Sequence, residues 1–496
     1  MLSSTWSAAL VGVDAVAVEI ETHFRVGLPG YAVVGLPQAS VRESRERVLS
    51  AIRSSGLPVP RGAITVAMAP ADLRKEGARF DLPLALGLLA AGGLEALGPH
   101  LGFWFLAGEL ALDGRLRPVR GVVALAELAA SRNARLLVAA ENLAEARLVR
   151  DLESFGAGSL AQAVEVILGR DPGSTPAAAS GEAVSANLDL SDVGGQHAAK
   201  RALEIAAAGG HHLLLQGPPG AGKTMLVARL PGLLPPMTEA EALAVTRIHS
   251  AAGLTAGSGT LIERRPLRAP HHSISRAGLI GGGQPPRPGE MSLAAHGVLF
   301  LDELPEFRRD CLESLRQPLE SGVVHLRRVA WSISFPAQTQ LVAAMNPCPC
   351  GFSGVPDRCL CDPAQVARYQ ARVSGPVLDR VDLVVRVPAP TFRELHEPEG
   401  RVSTSEVRER VLRARAFGRE QGRGCSNARL GRRRFAEAAR ITAESMRMLE
   451  DVAGRLRITA RGLDRVKRTA RTIADLAGSR TVEPPHLAEA VTYRGP

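Results

Sequence analysis

Short apolar runs alternate with segments of helical periodicity in the first third of the 496-residue chain. Apolar residues recur at every second position in segments 15–22 and 62–69, which predicts two half-buried strands. Segments 40–55, 83–97 and 121–131 carry apolar positions at helical spacing and are predicted to be helices. Together these elements predict a mixed α/β domain.

The rest of the chain has a different pattern. A predicted helix at 198–208 precedes three mainly apolar segments, 212–216, 297–301 and 340–345, which we expect to be buried strands. Buried strands that alternate with helices are typical of a parallel sheet. From residue 403 onward the pattern is helical and rich in arginine, which predicts an all-helical C-terminal part.

One segment marks a boundary between these parts. Residues 171–189 are mostly small, proline or polar, and they offer no apolar face that could be buried. We predict that this segment is a linker. It separates an N-terminal domain, residues 1–170, from a core domain, residues 190–392, and a helical domain, residues 393–496.

The charge is unevenly distributed along an otherwise ordinary globular composition of 45% apolar and 22% charged residues. That composition excludes collagen-like, disulfide-rich and wholly disordered proteins. Residues 1–170 carry 17 basic and 17 acidic side chains, whereas residues 191–496 carry 43 basic and 30 acidic ones. The basic excess indicates contact with a polyanion, although arginine usage in a GC-rich genome would produce the same excess.

The sequence carries no signal for export or membrane insertion. Its start lacks a basic segment followed by an apolar stretch. The most apolar stretch, 82–97, is interrupted by proline, glycine and glutamate. We therefore expect a cytoplasmic protein without membrane contact.

Four of the six cysteines are crowded into one loop, residues 346–362. In a cytoplasmic chain such crowding favours metal binding over disulfides. Four thiolates suit a tetrahedral structural Zn²⁺. The C-x-C spacing is less usual than C-x₂-C, and four reduced thiols remain the alternative. The predicted ligands are Cys348, Cys350, Cys359 and Cys361.

A phosphate-binding sequence directly follows the first buried strand. Residues 217–224 match G-x-x-x-x-G-K-[ST] in full, and a predicted helix, 225–230, comes next. The glycines let backbone N–H groups surround a phosphate, and the helix N-terminus adds positive charge. Lys223 would bind the β- and γ-phosphates of ATP, and Thr224 would bind Mg²⁺. The loop residues are Gly217, Pro218, Pro219, Gly220, Ala221, Gly222, Lys223 and Thr224.

Polar residues end the next two buried strands. Asp302 and Glu303 follow the second strand. Beside a phosphate-binding loop, this acidic pair predicts that Asp302 holds Mg²⁺ and that Glu303 polarises the attacking water. Asn346 follows the third strand and would orient the same water; a strand-capping role is the alternative.

Seven motifs in a fixed order, spread over nearly the whole chain, carry a resemblance to known proteins. They are KEGARFDLPLALG from residue 75, GELALDGRLRPV from 108, RAPHHS from 268, GGGQPPRPGEMSL from 281, NPCPCG from 346, SGPVLDRVD from 374 and ARTIADL from 470. The chain resembles AAA+ ATPases of the magnesium-chelatase-like branch, specifically the competence-associated ComM/YifB family. This implies an AAA+ P-loop core between an N-terminal Lon-protease-like α+β domain and a C-terminal helical lid.

The resemblance assigns roles to two arginines. Arg380 is similar to the arginine finger that one subunit of a ring supplies to its neighbour, and Arg461 to the sensor-2 arginine of the lid. A finger is worth on the order of 10³–10⁵ in rate. From the residues alone, either would be taken for a solvated surface arginine.

The N-terminal domain departs from the Lon protease pattern at both catalytic positions. Arg79 stands where the family pattern has the nucleophilic serine, and Val123 stands where it has the lysine partner. Neither side chain can perform nucleophilic catalysis. We therefore expect a catalytically inactive collar rather than a protease.

Three basic segments are candidates for DNA contact. Segment 322–335 alternates like a hairpin with Arg327 and Arg328 near its turn, and resembles the hairpin that related helicases point into a central pore. These arginines would contact phosphates without reading sequence. The Gly- and Pro-rich segment 276–289 resembles a second pore insertion, and segment 423–434 is also arginine-rich. Ordinary surface loops are the alternative for the first two segments, and a solvated lid helix is the alternative for segment 423–434.

The resemblance implies an ATP-dependent DNA motor. Such a protein would form a hexameric ring that drives branch migration of recombination junctions during natural transformation. The first alternative is the ATPase motor subunit of a tetrapyrrole metal chelatase. A second is a nucleotide-gated regulator or chaperone.

Overall fold

The structure divides into two compact units. The computed structural model describes residues 1–35, 39–175, 188–255, 258–284, 286–328, 331–353, 358–373, 375–396, 401–456 and 458–494. The first unit comprises Met1–Ala183, Glu239–Ile262 and Gly283–Pro288. The second unit comprises Val184–Thr238, Glu263–Gly282 and Gly289–Pro496. We number strands and helices separately, in chain order.

A mixed sheet forms the centre of the first unit. Its strands within the described residues are β1 (Leu2–Val11), β2 (Asp14–Val26), β3 (Gly30–Val34), β4 (Gly62–Ala69), β5 (Trp104–Ala107), β8 (Arg135–Ala139) and β9 (Ser154–Ala157). They lie in the order β3-β4-β2-β1-β5-β8-β9. The β1–β2 and β2–β4 pairs are antiparallel, and the other pairs are parallel. Shorter strands are β6 (Glu109–Leu110), β7 (Leu116–Arg117) and β13 (Arg287–Pro288).

Helices cover both faces of this sheet. They are α1 (Ala39–Ser54), α2 (Asp81–Gly92), α3 (Gly98–Leu101), α4 (Val122–Ser131), α5 (Leu143–Ala146), α6 (Leu160–Ile167) and α9 (Glu239–Ala252). Trp104 and Leu106 of β5 face the apolar cluster that contains α1 and α2, whereas Phe105 and Ala107 face the cluster that contains α4. Alternate side chains of one strand thus supply two cores.

Helix α9 belongs to the first unit, although it follows the phosphate-binding loop in sequence. The backbone N–H of Gly121 donates to the carbonyl oxygen of Ser250 (3.0 Å), and Arg247 forms ion pairs with Glu127 and Asp14 (3.3 Å each). Ser250 is buried. Hydrogen bonding and ion pairs therefore join α9 to α4 and the sheet.

A parallel sheet forms the centre of the second unit. Within the described residues its strands are β10 (Leu213–Gln216), β11 (Leu267–Arg268), β14 (Val298–Leu301), β17 (Gln340–Met345) and β18 (Leu383–Arg386). They lie in the order β11-β14-β17-β10-β18, and all pairs are parallel. This confirms the parallel sheet predicted from the apolar runs. The other strands are β12 (Gly281–Gly282), β15 (Val323–Arg328) and β16 (Trp331–Pro336).

Helices flank the parallel sheet and form the C-terminal region. Those of the core are α7 (His197–Gly209), α8 (Lys223–Leu233), α10 (Arg276–Ile280), α11 (Glu290–Leu293), α12 (Arg309–Ser314), α13 (Arg316–Ser321), α14 (Pro363–Gln370), α15 (Gly375–Leu378) and α16 (Phe392–His396). The C-terminal helices are α17 (Thr404–Glu420), α18 (Arg432–Ala439), α19 (Ala443–Leu456), α20 (Ala460–Leu476) and α21 (Pro484–Thr492). The predicted α/β core with a helical C-terminal region is confirmed.

The C-terminal helices begin and pack as their sequences direct. The Ser403 side chain accepts a hydrogen bond from the Glu406 backbone in a capping box that begins α17. Val411 of α17 and Val466 of α20 join the apolar core of the sheet. The arginine-rich face of α20 is partly internal, because Arg471 is buried and forms an ion pair with Asp475.

Helices α2 and α4 of the first unit are made mainly of apolar residues. Among the described residues, no single helix is both long and apolar enough to cross a bilayer. The segments Ala78–Gly92 and Glu95–Leu101 reach that length and apolar character only when taken together, and a bend of 117° separates them.

Candidate nucleotide-hydrolysis site

The phosphate-binding loop lies between β10 and α8, as its sequence predicts. Gly220 and Gly222 have φ of 76° and 83°, a left-handed conformation that favours glycine. A Cβ at Gly217 would overlap the carbonyl oxygen of Val387 next to β18, so that position also requires glycine. The loop therefore turns tightly and presents the N-terminus of α8, where an anion binds favourably.

Lys223 lies buried under this loop. Its Nζ donates hydrogen bonds to the carbonyl oxygens of Gly217 (2.8 Å) and Pro218 (2.9 Å) and to Oδ1 of Asn346 (3.2 Å). Burial lowers the pKa of Lys223, partly offset by the charges of Asp302 and Glu303. The ammonium is thus held at the loop by neutral oxygens, which a phosphate would outcompete electrostatically.

A hydroxyl and a carboxylate meet beside the lysine. Oγ1 of Thr224 donates to Oδ2 of Asp302 at 2.9 Å, and the backbone N–H of Glu303 donates to the other oxygen of Asp302 at 2.9 Å. Hydroxyl and carboxylate oxygens are ligands that Mg²⁺ prefers. This pair therefore fits the Mg²⁺ that the sequence predicts here.

Glu303 adopts an unusual backbone conformation at the end of β14. Its φ of 53° is left-handed, which is uncommon and costly outside glycine and concentrates at functional sites. Nδ1 of His272 lies 3.3 Å from Oε2 of Glu303. His272 belongs to the RAPHHS motif, but the sequence assigned it no role.

The phosphate-binding loop, the acidic pair and Asn346 line one open cavity of about 420 Å³. The structure therefore brings together the predicted loop, Asp302, Glu303 and Asn346. The lining residues are Pro219, Gly220, Ala221, Gly222, Lys223, Thr224, Met225, Asp302, Glu303, Met345 and Asn346.

Arg380 and Arg461 line a different cavity, of about 590 Å³. Arg380 is 7% exposed; its Nε donates to the carbonyl oxygen of Arg316 at 3.0 Å, and its Nη2 pairs with Glu320. Burial lowers the pKa of Arg380. Arg465 and Arg468 of α20 line the same cavity. Among the described lining residues, neither predicted arginine borders the phosphate-loop cavity.

The four clustered cysteines converge on one point. Their Sγ atoms all lie within 4.8 Å of one another, with Cys348 at 3.3 Å from Cys350 and 3.9 Å from Cys359. Zn–S bonds of about 2.3 Å in a tetrahedron place sulfur atoms about 3.8 Å apart. The arrangement fits a single tetrahedral metal ion held by Cys348, Cys350, Cys359 and Cys361.

The cysteine loop packs directly against the phosphate-binding loop. Gly351 has φ of 85°, and a Cβ there would overlap Cδ of Pro219. The same loop begins at Asn346, whose side-chain oxygen accepts a hydrogen bond from Lys223. The conformation of the cysteine loop is therefore tied to the floor of the nucleotide cavity.

The predicted hairpin is present as β15 and β16, which pair antiparallel with Arg327 opposite Ser332. Arg327 is exposed. The side chain of Arg328 lies outside the described part of the structure. In segment 423–434, Arg423 is buried against Asp475 (2.6 Å) and is structural, whereas the exposed arginines are Arg429, Arg432, Arg433 and Arg434.

The positions compared with a protease lie in the first unit. Val123 is buried in α4, and Nη2 of Arg79 donates to the carbonyl oxygen of Arg120 at 3.0 Å. Lys75 is buried, and its Nζ donates to the carbonyl oxygens of Gly35 (3.0 Å) and Pro70. Burial lowers the pKa of Lys75.

A phosphate-binding loop, a Thr–Asp pair and an adjacent glutamate at the carboxyl edge of a parallel sheet define a P-loop protein. Models of the magnesium chelatase subunit ChlI match residues 189–395, 20–142 and, for its C-terminal part, 401–494. The chain therefore belongs to the magnesium-chelatase-like family of AAA+ ATPases that includes ComM and YifB, as predicted.

Relatives match the chain over almost its full length. The competence protein ComM of Haemophilus influenzae is 45% identical over 99% of this chain and 97% of its own. The uncharacterised protein YifB of Salmonella typhimurium is 43% identical over the same shares. The uncharacterised protein Mb2921c of Mycobacterium bovis is 42% identical over 99% of this chain and 98% of its own.

Proposed function

We propose that the protein is a cytoplasmic, ATP-driven DNA motor. In this proposal it assembles into a hexameric ring and promotes branch migration of recombination junctions during natural transformation. Its similarity to a relative named as a competence protein supports this role. The observation that carries the ring assembly is the separation of Arg380 from the nucleotide cavity.

Each polar residue of the cavity has its own role in ATP hydrolysis. Lys223 binds the β- and γ-phosphates, and Thr224 and Asp302 hold Mg²⁺. Bound Mg²⁺ neutralises charge on the phosphate oxygens. Glu303 accepts a proton from the attacking water, and Asn346 orients that water from the adjacent strand.

The second cavity is lined by arginines, whereas none of the described residues that line the nucleotide cavity is an arginine. Arg380 and Arg461 line it together, with carboxylates of Asp379 and Asp464 nearby. An arginine that must reach a γ-phosphate, but lines another cavity of its own chain, serves the nucleotide of a neighbouring subunit. Repetition of such a head-to-tail contact closes a ring. In this proposal Arg380 therefore acts in trans, beside the sensor-2 arginine Arg461 in the same cavity.

DNA contact is supported by charge rather than by shape. The exposed Arg327 lies on the β15–β16 hairpin, and residues 191–496 carry 43 basic against 30 acidic side chains. Contacts of arginine with phosphates are independent of sequence and weaken with salt. This suits a motor that moves along any DNA.

The proposal is tested by steady-state ATP hydrolysis with and without a synthetic four-way DNA junction, at low and moderate salt. We expect clear stimulation that weakens as salt rises. Equal rates with and without the junction at both salt concentrations would refute the DNA motor.

Replacement of Arg327 by alanine is expected to weaken binding of the junction and to reduce the salt slope by about one for each phosphate that this arginine neutralises. Binding is measured by fluorescence anisotropy over a salt series. Arg455→Ala, which removes another exposed arginine, is the matched control. Equal salt slopes for the unaltered protein, Arg327→Ala and Arg455→Ala would show that the hairpin does not contact phosphate.

The cysteine cluster is proposed to hold structural zinc. Purified protein is expected to contain about one zinc ion per chain, and Cys350→Ser is expected to release it. Because Gly351 packs on Pro219, removal of zinc is also expected to weaken ATP binding. Cys425→Ser, at an exposed cysteine outside the cluster, is the control. Well under one zinc per chain in the unaltered protein would contradict the assignment.

The motor subunit of a metal chelatase remains the second candidate, because the matching family models carry the name of that subunit. The same hydrolysis site would serve both functions. Hydrolysis that is indifferent to DNA but stimulated by a chelatase partner would favour this candidate.

A further inference from the structure

Arg465 of α20 contacts the turn that carries the predicted finger, Arg380. Its Nη1 donates to the carbonyl oxygens of Val381 (2.7 Å) and Leu378 (3.3 Å), and its Nη2 lies 3.6 Å from Oδ1 of Asp379. The guanidinium therefore binds residues on both sides of Arg380 in the chain. The side chain of Arg465 is 9% exposed, so water competes little for these contacts.

The burial of Arg465 indicates a role other than stability. A guanidinium stays protonated in proteins, and it loses much of its hydration when it is buried. An apolar residue of similar volume often stabilises such a position equally well or better. The planar group does offer several N–H donors in fixed directions, which can hold two carbonyl groups in one geometry. The contacts of Arg465 therefore suit a side chain that fixes the conformation of the turn.

A second contact joins α20 to the residue that follows the turn. Oγ1 of Thr472, about two helical turns beyond Arg465, lies 2.8 Å from Nε2 of His211. His211 is buried, and its Nδ1 lies 3.5 Å from Oδ2 of Asp382. The same oxygen of Asp382 accepts a hydrogen bond from the backbone N–H of His212 at 2.9 Å. Helix α20 thus contacts the turn directly and, through the imidazole of His211, the segment that leads from the turn into β18.

The predicted sensor-2 residue belongs to the same helix. Arg461 lies about one turn before Arg465, whose Nε donates to the carbonyl oxygen of Arg461 at 3.3 Å. We propose that Arg465 is a positioning residue that holds the Arg380 turn against α20, and so fixes Arg380 relative to Arg461 where the cavity meets a neighbouring subunit. This inference rests on the trans role of Arg380 proposed above. Arg465 acts through Arg380 and does not itself contact the nucleotide.

The test compares ATP hydrolysis by the unaltered full-length protein, Arg465→Ala, Arg465→Gln and, as a matched control, Arg471→Ala. We expect Arg465→Ala to lower kcat about 10²-fold, the cost of misplacing a reacting group by about 1 Å, with an unchanged KM for ATP. Arg465→Gln, which keeps an uncharged N–H donor, is expected to recover part of the rate.

Arg471 controls for the loss of a buried arginine from the same helix. It also donates to backbone carbonyl oxygens, those of Ser479 and Arg480 among them, and it is not one of the described residues that line either cavity. Arg471→Ala is therefore expected to lower the temperature of thermal unfolding while kcat stays unchanged. A tenfold or greater loss of kcat in the folded Arg471→Ala protein would show that general damage to α20 explains the Arg465 result.

Mixing experiments locate the defect of Arg465→Ala on the finger side of the subunit contact. Mixed with Lys223→Ala, it is expected to regain hydrolysis, because the Lys223 variant supplies an intact finger. Mixed with Arg380→Ala, it is expected to gain nothing, because neither protein supplies a working finger. The reverse pair of results would place the defect in the nucleotide site of the altered subunit itself and would overturn the proposal.

A double variant separates positioning from direct contact with the nucleotide. In an Arg380→Ala background, Arg465→Ala is expected to cause no further loss of kcat, because Arg465 acts through Arg380. A further loss, or a kcat of the single variant Arg465→Ala equal to that of the unaltered protein, would overturn the positioning role. If mixing Arg380→Ala with Lys223→Ala restores no hydrolysis, the ring assembly is refuted, and the double variant alone decides the role of Arg465.

Discussion

Replacement of Glu303 by glutamine is expected to lower kcat for ATP hydrolysis by about 10²–10⁴-fold, the usual contribution of a general base. Glutamine keeps the size of the side chain but cannot accept the proton of water. Lys223, Thr224 and Asp302 remain in place, so ATP binding is expected to persist. The measurements are single-turnover hydrolysis and retention of labelled ATP.

A nearby glutamate offers a matched control for this variant. Glu306 lies three residues further along the chain and is exposed. It forms an ion pair with Arg372 at 3.2 Å and is not among the residues that line the nucleotide cavity. Glu306→Gln is expected to hydrolyse ATP at the unaltered rate. Undiminished hydrolysis by Glu303→Gln would show that another group activates the water.

Replacement of Arg380 by alanine is expected to reduce ATP hydrolysis by about 10³–10⁵-fold, the effect of removing an arginine finger. The decisive measurement mixes this variant with Lys223→Ala, which has a defective nucleotide site but an intact finger. In a randomly mixed ring, about a quarter of the subunit contacts join an intact site to an intact finger. Hydrolysis is therefore expected to reappear on mixing two inactive proteins.

The mixing experiment also separates catalysis from stability. Arg380 is buried, and its removal leaves the carbonyl of Arg316 without this donor. Thermal unfolding of Arg380→Ala and of Arg380→Lys, which keeps the charge but not the planar fork, measures any structural damage. If both variants fold and mixing restores no activity, Arg380 does not serve a neighbouring site.

Features that depend on consecutive residues could be predicted from the sequence. The strands that became β4, β10 and β17 were predicted because their apolar runs are unbroken or strictly alternating. The phosphate-binding loop is contiguous, so its turn, its lysine and the start of α8 follow from one motif. The family followed in the same way, from motifs whose order is visible in the chain.

Burial of charged side chains could not be predicted in this way. An arginine-rich helix has the same periodicity whether its arginines face water or an internal carboxylate. Arg423 and Arg471 are therefore surface residues by composition but lie buried around Asp475. Strand β1 was missed for a related reason, because its buried positions include the polar residues Ser3, Thr5 and Ser7, which an apolar alternation does not reveal.

The sequence by itself determined the α/β class, the nucleotide loop, the helical C-terminal region and the family. Only the tertiary structure decided that α9 packs in the first unit, that Gly351 abuts Pro219 and that His272 meets Glu303. It also placed Arg380 and Arg461 around a cavity separate from the nucleotide loop. The physical reason is the same for each. Strand order and side-chain packing join residues that are far apart in the chain, and the local periodicity of a sequence does not indicate which strands become neighbours.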